Sequence, residues 1–277
     1  MHALASLLLL LAQAPAAPAP QVPATPAVLA HPAVIGASMS AGFGLQREAG
    51  RPLDLAAVIE ELLVVKTEQP VDKASQWLFT NPEKLAEEQV EQVAGQEPSV
   101  LFALDFLFWF AYGARTSEER HLERFEQGLA LLDRFPCPIV VGDLPDMSLA
   151  VDAPVKMLSA EQVPEPAVLE RLNARLRAWA AERPRVCVVP LADFVKRMIK
   201  GERLELRGNV WEQATDRVLQ ADHLHPRLEG TVGVALLTLD ALDRAREDVT
   251  PEMVRWSAAD ALKALRPAPE PAPAGGR

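Results

Sequence analysis

An α/β fold, a parallel sheet covered by helices on both faces, is the fold class this sequence predicts. Three observations predict it. Short apolar runs recur along the chain, helical patterns separate them, and several runs are continuously apolar rather than alternating. Continuous runs mark strands buried on both faces, and intervening helices return the chain so that the strands lie parallel. With 277 residues, 49% of them apolar, the chain is long enough for one good-sized domain with its own core.

The elements follow in order. Residues 1–16 read as a signal peptide: Ala3 to Ala12 is leucine-rich, and Ala14-Pro15-Ala16 forms an A-x-A-type cleavage site. The run is too short to span a bilayer. An exported protein, periplasmic or secreted, with no integral span in the mature form is the expectation. Residues 17–30 are a Pro/Ala-rich linker, 31–266 the folded domain, and 267–277 a disordered Pro-rich tail.

Within the domain, Ala33 to Gly36 is the first strand and Leu53 to Val65 has helical spacing. Pro70 to Ala74 is a short strand, and Pro82 to Ala94 a polar amphipathic helix with proline at its first turn. Ser99 to Leu104 is a buried strand and Ser117 to Arg134 a helix. Pro138 to Val141 is a fourth strand, followed by the turn Gly142-Asp143-Leu144-Pro145. Glu165 to Glu182 is a long helix, and Val186 to Leu191 a fifth strand. Thr231 to Arg246 is helical, and Thr250-Pro251 caps one more helix.

The net charge of −10 and the lack of a basic stripe argue against nucleic acid as a partner. Cys137 and Cys187 are too few for a disulfide-built scaffold and read as buried free thiols in core strands. Nothing in the acidic surface calls for more than a monomer.

In open parallel sheets ligands sit beyond the carboxyl ends of the strands. Two segments there carry chemistry. Gly36-Ala37-Ser38-Met39-Ser40-Ala41-Gly42 places a serine on a tight turn after the first strand, with its backbone N–H opening the next helical turn. Ala221-Asp222-His223-Leu224-His225-Pro226, with Gly230 beyond, precedes the last large helix. A serine needs a base to take its proton, and the base needs a carboxylate to hold its tautomer. Asp222 and His225 are close enough for one turn to bring both to a site. His223 raises a metal-ligand alternative, but two histidines without a further His/Cys cluster make a poor zinc pattern. His2, His31 and His121 read as signal, linker and surface. No metal or cofactor is expected.

Together the two segments resemble the SGNH/GDSL hydrolase superfamily of esterases and lipases, whose Gly-Asp-Ser-Leu block follows the first strand and whose Asp-x-x-His-Pro block precedes the last helix. Gly36-Ala37-Ser38-Met39 is similar to the first and Asp222 to Pro226 to the second. Leu172-Asn173-Ala174-Arg175-Leu176 and the following strand also look like the stretch before the last block. The resemblance spans about residues 33 to 246. It implies a three-layer α/β/α sandwich with a central five-stranded parallel sheet in flavodoxin-like order. It further implies Ser38 as nucleophile and oxyanion donor, His225 as general base and Asp222 as its orienting carboxylate, acting on an ester of an acylated carbohydrate or a lipid.

Two further blocks of that pattern are altered. The glycine that should donate its N–H after the second strand is missing from Asp72-Lys73-Ala74-Ser75-Gln76, where Ser75 or Ala74 offers a backbone substitute. Asp105 stands where an oxyanion-binding asparagine should be, and Ala37 replaces the first-block aspartate. The oxyanion hole expected from the sequence is therefore Ser38, Ser75 and Asp105. A carboxylate repels a developing oxyanion, so Asp105 must be protonated, turn away toward Lys or Arg, or yield to Gln76, Asn81 or Trp109. The aromatic run Phe106 to Tyr112 beside it reads as a buried strand end and helix start, or as a wall for an acyl chain or a sugar ring. Asp143 reads as a turn residue. The function expected is an exported serine esterase or deacylase. The alternative is a protein of the same fold with impaired or no hydrolysis, acting in binding or as an acyltransferase-like relative.

Overall fold

The computed structural model describes residues 23–113 and 117–267. The predicted signal peptide, the start of the linker and all but the first residue of the tail lie outside these. Five strands form the central sheet: β1 (Pro32–Val34), β2 (Val71–Asp72), β3 (Val100–Ala103), β4 (Ile139–Gly142) and β5 (Val186–Val189). Their order is β2-β1-β3-β4-β5 and every neighbouring pair is parallel. This is the flavodoxin-like arrangement the resemblance implied.

Alternation along the strands builds two cores. Val34, Phe102, Val140 and Val189 face one side, with α2 (Leu55–Leu62), α7 (Leu191–Ile199), α9 (Leu228–Ala245) and α10 (Ala258–Leu265). Ala33, Leu101, Ala103, Ile139 and Val141 face the other, with α3 (Pro82–Ala94), α4 (Phe108–Ala111), α5 (Glu118–Leu132) and α6 (Pro166–Ala181). β3 and β4 are buried throughout, as continuous apolar runs require. Two short helices, α1 (Gln46–Ala49) and α8 (Thr215–Val218), and an antiparallel hairpin of β6 (Leu204–Leu206) and β7 (Asn209–Trp211) complete the α-helices and strands of the described residues.

Several boundaries differ from expectation. The fifth strand ends at Val189 and Leu191 opens α7 instead, because the Asp143 carboxylate accepts a hydrogen bond from the Ala192 N–H at 2.7 Å and caps that helix. Thr250-Pro251 starts only a short 3₁₀ turn, Pro251–Met253. The helix beyond it is α10, capped by Ser257, whose hydroxyl accepts from the Asp260 N–H at 3.2 Å. His121 is buried in α5 rather than on the surface. Both cysteines are free but only half-buried, and Cys137 precedes β4 rather than lying in it. Burial pushes both thiols up to about 11. No helix among the described residues is long and apolar enough to cross a membrane.

Candidate active site

Ser38 sits just past the carboxyl end of β1. Gly36 turns the chain there with φ of 153°. A Cβ on it would lie 2.2 Å from Asp105 Oδ1 and 2.7 Å from Ser40 Oγ, so no larger residue fits. The buried Gln89 carboxamide clamps Gly36 from α3, accepting from its N–H and donating to its carbonyl, both at 3.0 Å. After Ser38 the chain coils at once, with Ala41 N–H donating to Ala37 O at 2.9 Å and Phe43 N–H to Ser38 O at 2.9 Å.

The second loop is folded by Asp222. Its Oδ1 accepts from the backbone N–H groups of Leu224 at 3.0 Å and His225 at 2.9 Å. Its Oδ2 pairs with His225 Nδ1 at 2.8 Å, and His225 Nε2 lies 2.9 Å from Ser38 Oγ. The structure thus brings Ser38, His225 and Asp222 into one hydrogen-bonded chain. Burial raises the Asp222 carboxyl, but the His225 ring and the two N–H groups outweigh it and hold it below the ordinary aspartate value. Phe43 packs on the His225 ring, the centroids 4.2 Å apart. His223 adopts φ of 52°, and the described residues hold no cluster of three or more metal-ligating side chains.

The two loops are tied by a residue that the sequence did not single out. Gln220 Nε2 donates to Phe43 O at 2.7 Å and to Pro226 O at 2.8 Å. Nothing periodic marks Gln220. Gln89 did leave a signal: it occupies the apolar stripe of α3 with Ala86, Val90 and Val93, where a polar residue needs a buried partner.

The expected oxyanion hole is corrected at two of its three positions. Asp105 turns its carboxylate onto the serine loop. Oδ1 accepts from the Ala37 N–H at 2.9 Å and Ser40 Oγ at 2.6 Å; Oδ2 accepts from the N–H groups of Met39 at 2.9 Å and Ser40 at 3.2 Å. The two oxygens are occupied as acceptors, and none of these partners is the lysine or arginine expected if it turned away. Ser75 donates its N–H to Gly36 O at 3.0 Å, and Ala74 donates to Asp72 Oδ1 at 2.8 Å, so both amides are engaged. Asn81 caps α3, accepting from the Lys84 N–H. Ser38 N–H makes no hydrogen bond among the described residues, while the amides of Gly36, Ala37, Met39, Ser40 and Ala41 all do.

Two cavities meet at Ser38, Leu224 and His225. One, of about 820 Å³ with its open mouth included, is apolar and walled by Met39, Leu104, Phe108, Leu191, Phe194 and Val234. The other, of about 670 Å³, is ringed by Phe43, Gln76, Trp77, Phe79, Trp109 and Met157. Trp77 is 59% exposed and lies 6.2 Å from Phe79, centroid to centroid; Phe79 lies 5.7 Å from Trp109. Of the aromatic run, Phe106, Phe110 and Tyr112 are core, whereas Phe108 and Trp109 each wall one cavity.

The chain superposes on the crystal structure of TesA with a TM-score of 0.50 at 14% identity, covering 78% of this chain and 99% of that one. It superposes on a lipase/acylhydrolase from Enterococcus faecalis with a TM-score of 0.50 at 14% identity, covering 78% and 96%. The fold is that of the SGNH/GDSL hydrolases. No family model matches the sequence, and no curated protein matches it significantly. In this chain the carboxyl ends of β1 and β3 and the loop before α9 hold Ser38, Asp105 and His225.

Proposed function

We propose that the protein is an exported serine hydrolase that cleaves carboxylic esters through an acyl-enzyme on Ser38. The observation that carries this reading is the unbroken chain Ser38 Oγ–His225 Nε2 at 2.9 Å and His225 Nδ1–Asp222 Oδ2 at 2.8 Å, at the junction of two cavities. Ser38 Oγ gives its proton to His225 Nε2 as it attacks the ester carbonyl, and Asp222 stabilises the imidazolium. The Ser38 N–H supports the oxyanion. His225 then protonates the departing alkoxide. Water, deprotonated by His225, hydrolyses the acyl-enzyme and releases the acid.

The apolar cavity is the natural seat for the acyl chain, and the aromatic cavity for the alcohol part, an acylated carbohydrate or a lipid. The test is hydrolysis of p-nitrophenyl esters of increasing chain length by the full chain and by Ser38→Ala. Turnover is expected to fall by about 10⁴ or more in Ser38→Ala. Medium and long acyl chains are expected to be preferred over acetyl. Equal rates in the two proteins would overturn the assignment of Ser38.

A second reading is favoured by one observation: with Asp105, Ser75 and Ala74 engaged elsewhere, Ser38 N–H is left without the usual companion donors. Such a protein binds its ester or transfers its acyl group with little hydrolysis. Saturable ligand binding without product release, in wild type and Ser38→Ala alike, would favour it.

A further inference from the structure

We infer that Asp105 is a positioning residue that holds the serine loop as a hydrogen-bond acceptor, and that asparagine cannot replace it. This inference rests on the hydrolase reading of Ser38. The geometry that carries it is the pattern of amides around the carboxylate. Asp105 gathers three N–H groups and one hydroxyl from four consecutive residues, Ala37 to Ser40, and skips one. The skipped amide is that of Ser38, which stays unpaired among the described residues on a residue that lines both cavities. A single side chain from β3 both draws the loop closed and decides which amide stays unpaired.

Burial pushes the Asp105 carboxyl above the ordinary aspartate value, opposed by Ser40 Oγ and the three N–H groups. The role survives either protonation state. Oδ2 accepts two N–H groups and must remain bare, since backbone N–H groups only donate. If a proton is carried, it lies on Oδ1 and is donated to Ser40 Oγ, 2.6 Å away.

Asparagine has one acceptor oxygen and one NH₂ group. With its oxygen toward Met39 and Ser40, its NH₂ faces the Ala37 N–H, and two donors meet where a bond was. Flipping the amide moves the conflict to Met39 and Ser40. The residue that the SGNH resemblance leads one to expect is thus the wrong residue for this loop.

The experiment is the rate at which a fluorophosphonate phosphorylates Ser38 in the full chain, followed by intact mass, in wild type, Asp105→Asn, Ser40→Ala and Ser38→Ala. In this reaction Ser38 Oγ–P forms, P–F breaks, fluoride leaves and the serine proton passes to His225. Asp105→Asn is expected to lower the maximal inactivation rate at least tenfold with the half-saturating concentration unchanged. Ser40→Ala, which removes one of four donors, is expected to lower it several-fold. If asparagine instead served as an oxyanion donor, the rate would rise, by up to about 10²–10³. An equal or faster rate in Asp105→Asn, with Ser38→Ala unlabelled, overturns the role of Asp105 alone. Should Asp105→Asn fail to fold, Ser40→Ala decides, and a rate equal to wild type overturns the inference. No label on wild-type Ser38 overturns the hydrolase reading and the Asp105 role with it.

Discussion

Gln220 binds the Phe43 and Pro226 carbonyls with one NH₂ group and so sets the distance between the serine loop and the histidine loop. Gly44 makes room for it: a Cβ there would lie 2.3 Å from Gln220 Oε1. Gln220→Ala removes the tie without touching Ser38 or His225. Misplacement of reacting groups by even 1 Å costs up to about 10² in rate. The expected outcome is a loss of about tenfold or more in kcat with the fold retained, read from ester turnover and circular dichroism together. Unchanged kcat would show that Asp222 and Phe43 align the site unaided. Gln220 escaped a sequence reading, and the partners of Gln89 and Asp105 escaped it for the same reason. Each reaches at least one backbone group more than 50 residues away, and no local pattern records such a partner. Ser38, Asp222 and His225 were legible because the last two lie within one turn and each segment follows or precedes a recognisable element.

At the scale of elements, α8 and the start of α9 fix the loop that carries His225. Gly230 in α9 lies against the α8 backbone, and a Cβ there would stand 2.2 Å from Val218 O and 3.1 Å from the Pro226 ring. Neither neighbour is the end of a flexible side chain. Gly230→Ala is therefore expected to destabilise the protein by about 1–3 kcal/mol as α9 is pushed outward. At about 2–4 °C per kcal/mol for a domain of this size, a thermal scan detects it. The strands were legible because β3 and β4 are buried on both faces, so their composition alone marks them. The amphipathic helices α3, α5 and α6 were legible by their spacing. The hairpin β6–β7 and α7 were not. α7 takes its cap from Asp143, which lies 49 positions before the Ala192 it binds and belongs to the turn after β4. The hairpin strands are three residues each, too short for a period to show.

At the scale of the whole molecule, the sheet concentrates carboxylates at one end. Burial, reinforced by Asp54, pushes Asp72 at the end of β2 up to about 7 against the pull of the Ala74 N–H. Between the ordinary value of 3.8 and about 7, the folded chain holds a proton that the unfolded chain has released. Stability therefore falls as pH rises through that window and levels off above it. Asp72→Asn is expected to flatten this fall, so the melting temperatures of variant and wild type should converge toward about pH 4 and separate toward about pH 8, the variant being higher. A constant gap between them would refute the assignment. The two-faced core and parallel order were legible from alternating element types; the acidity at the strand ends was not, because it depends on which carboxyl groups the crossovers bring together. The contact between Ser38 and His225 spans 187 residues, and that between Gln220 and Phe43 spans 177. A ribosome lays down the serine long before the imidazole exists. Every shortened nascent chain that stops ahead of Gln220 carries the serine without its imidazole, and closing so long a loop costs chain entropy before the contact repays it. On the proposed hydrolase reading, labelling of Ser38 is then a stopwatch for completed folding, and a chain cut short of His225 lacks the base that its serine needs.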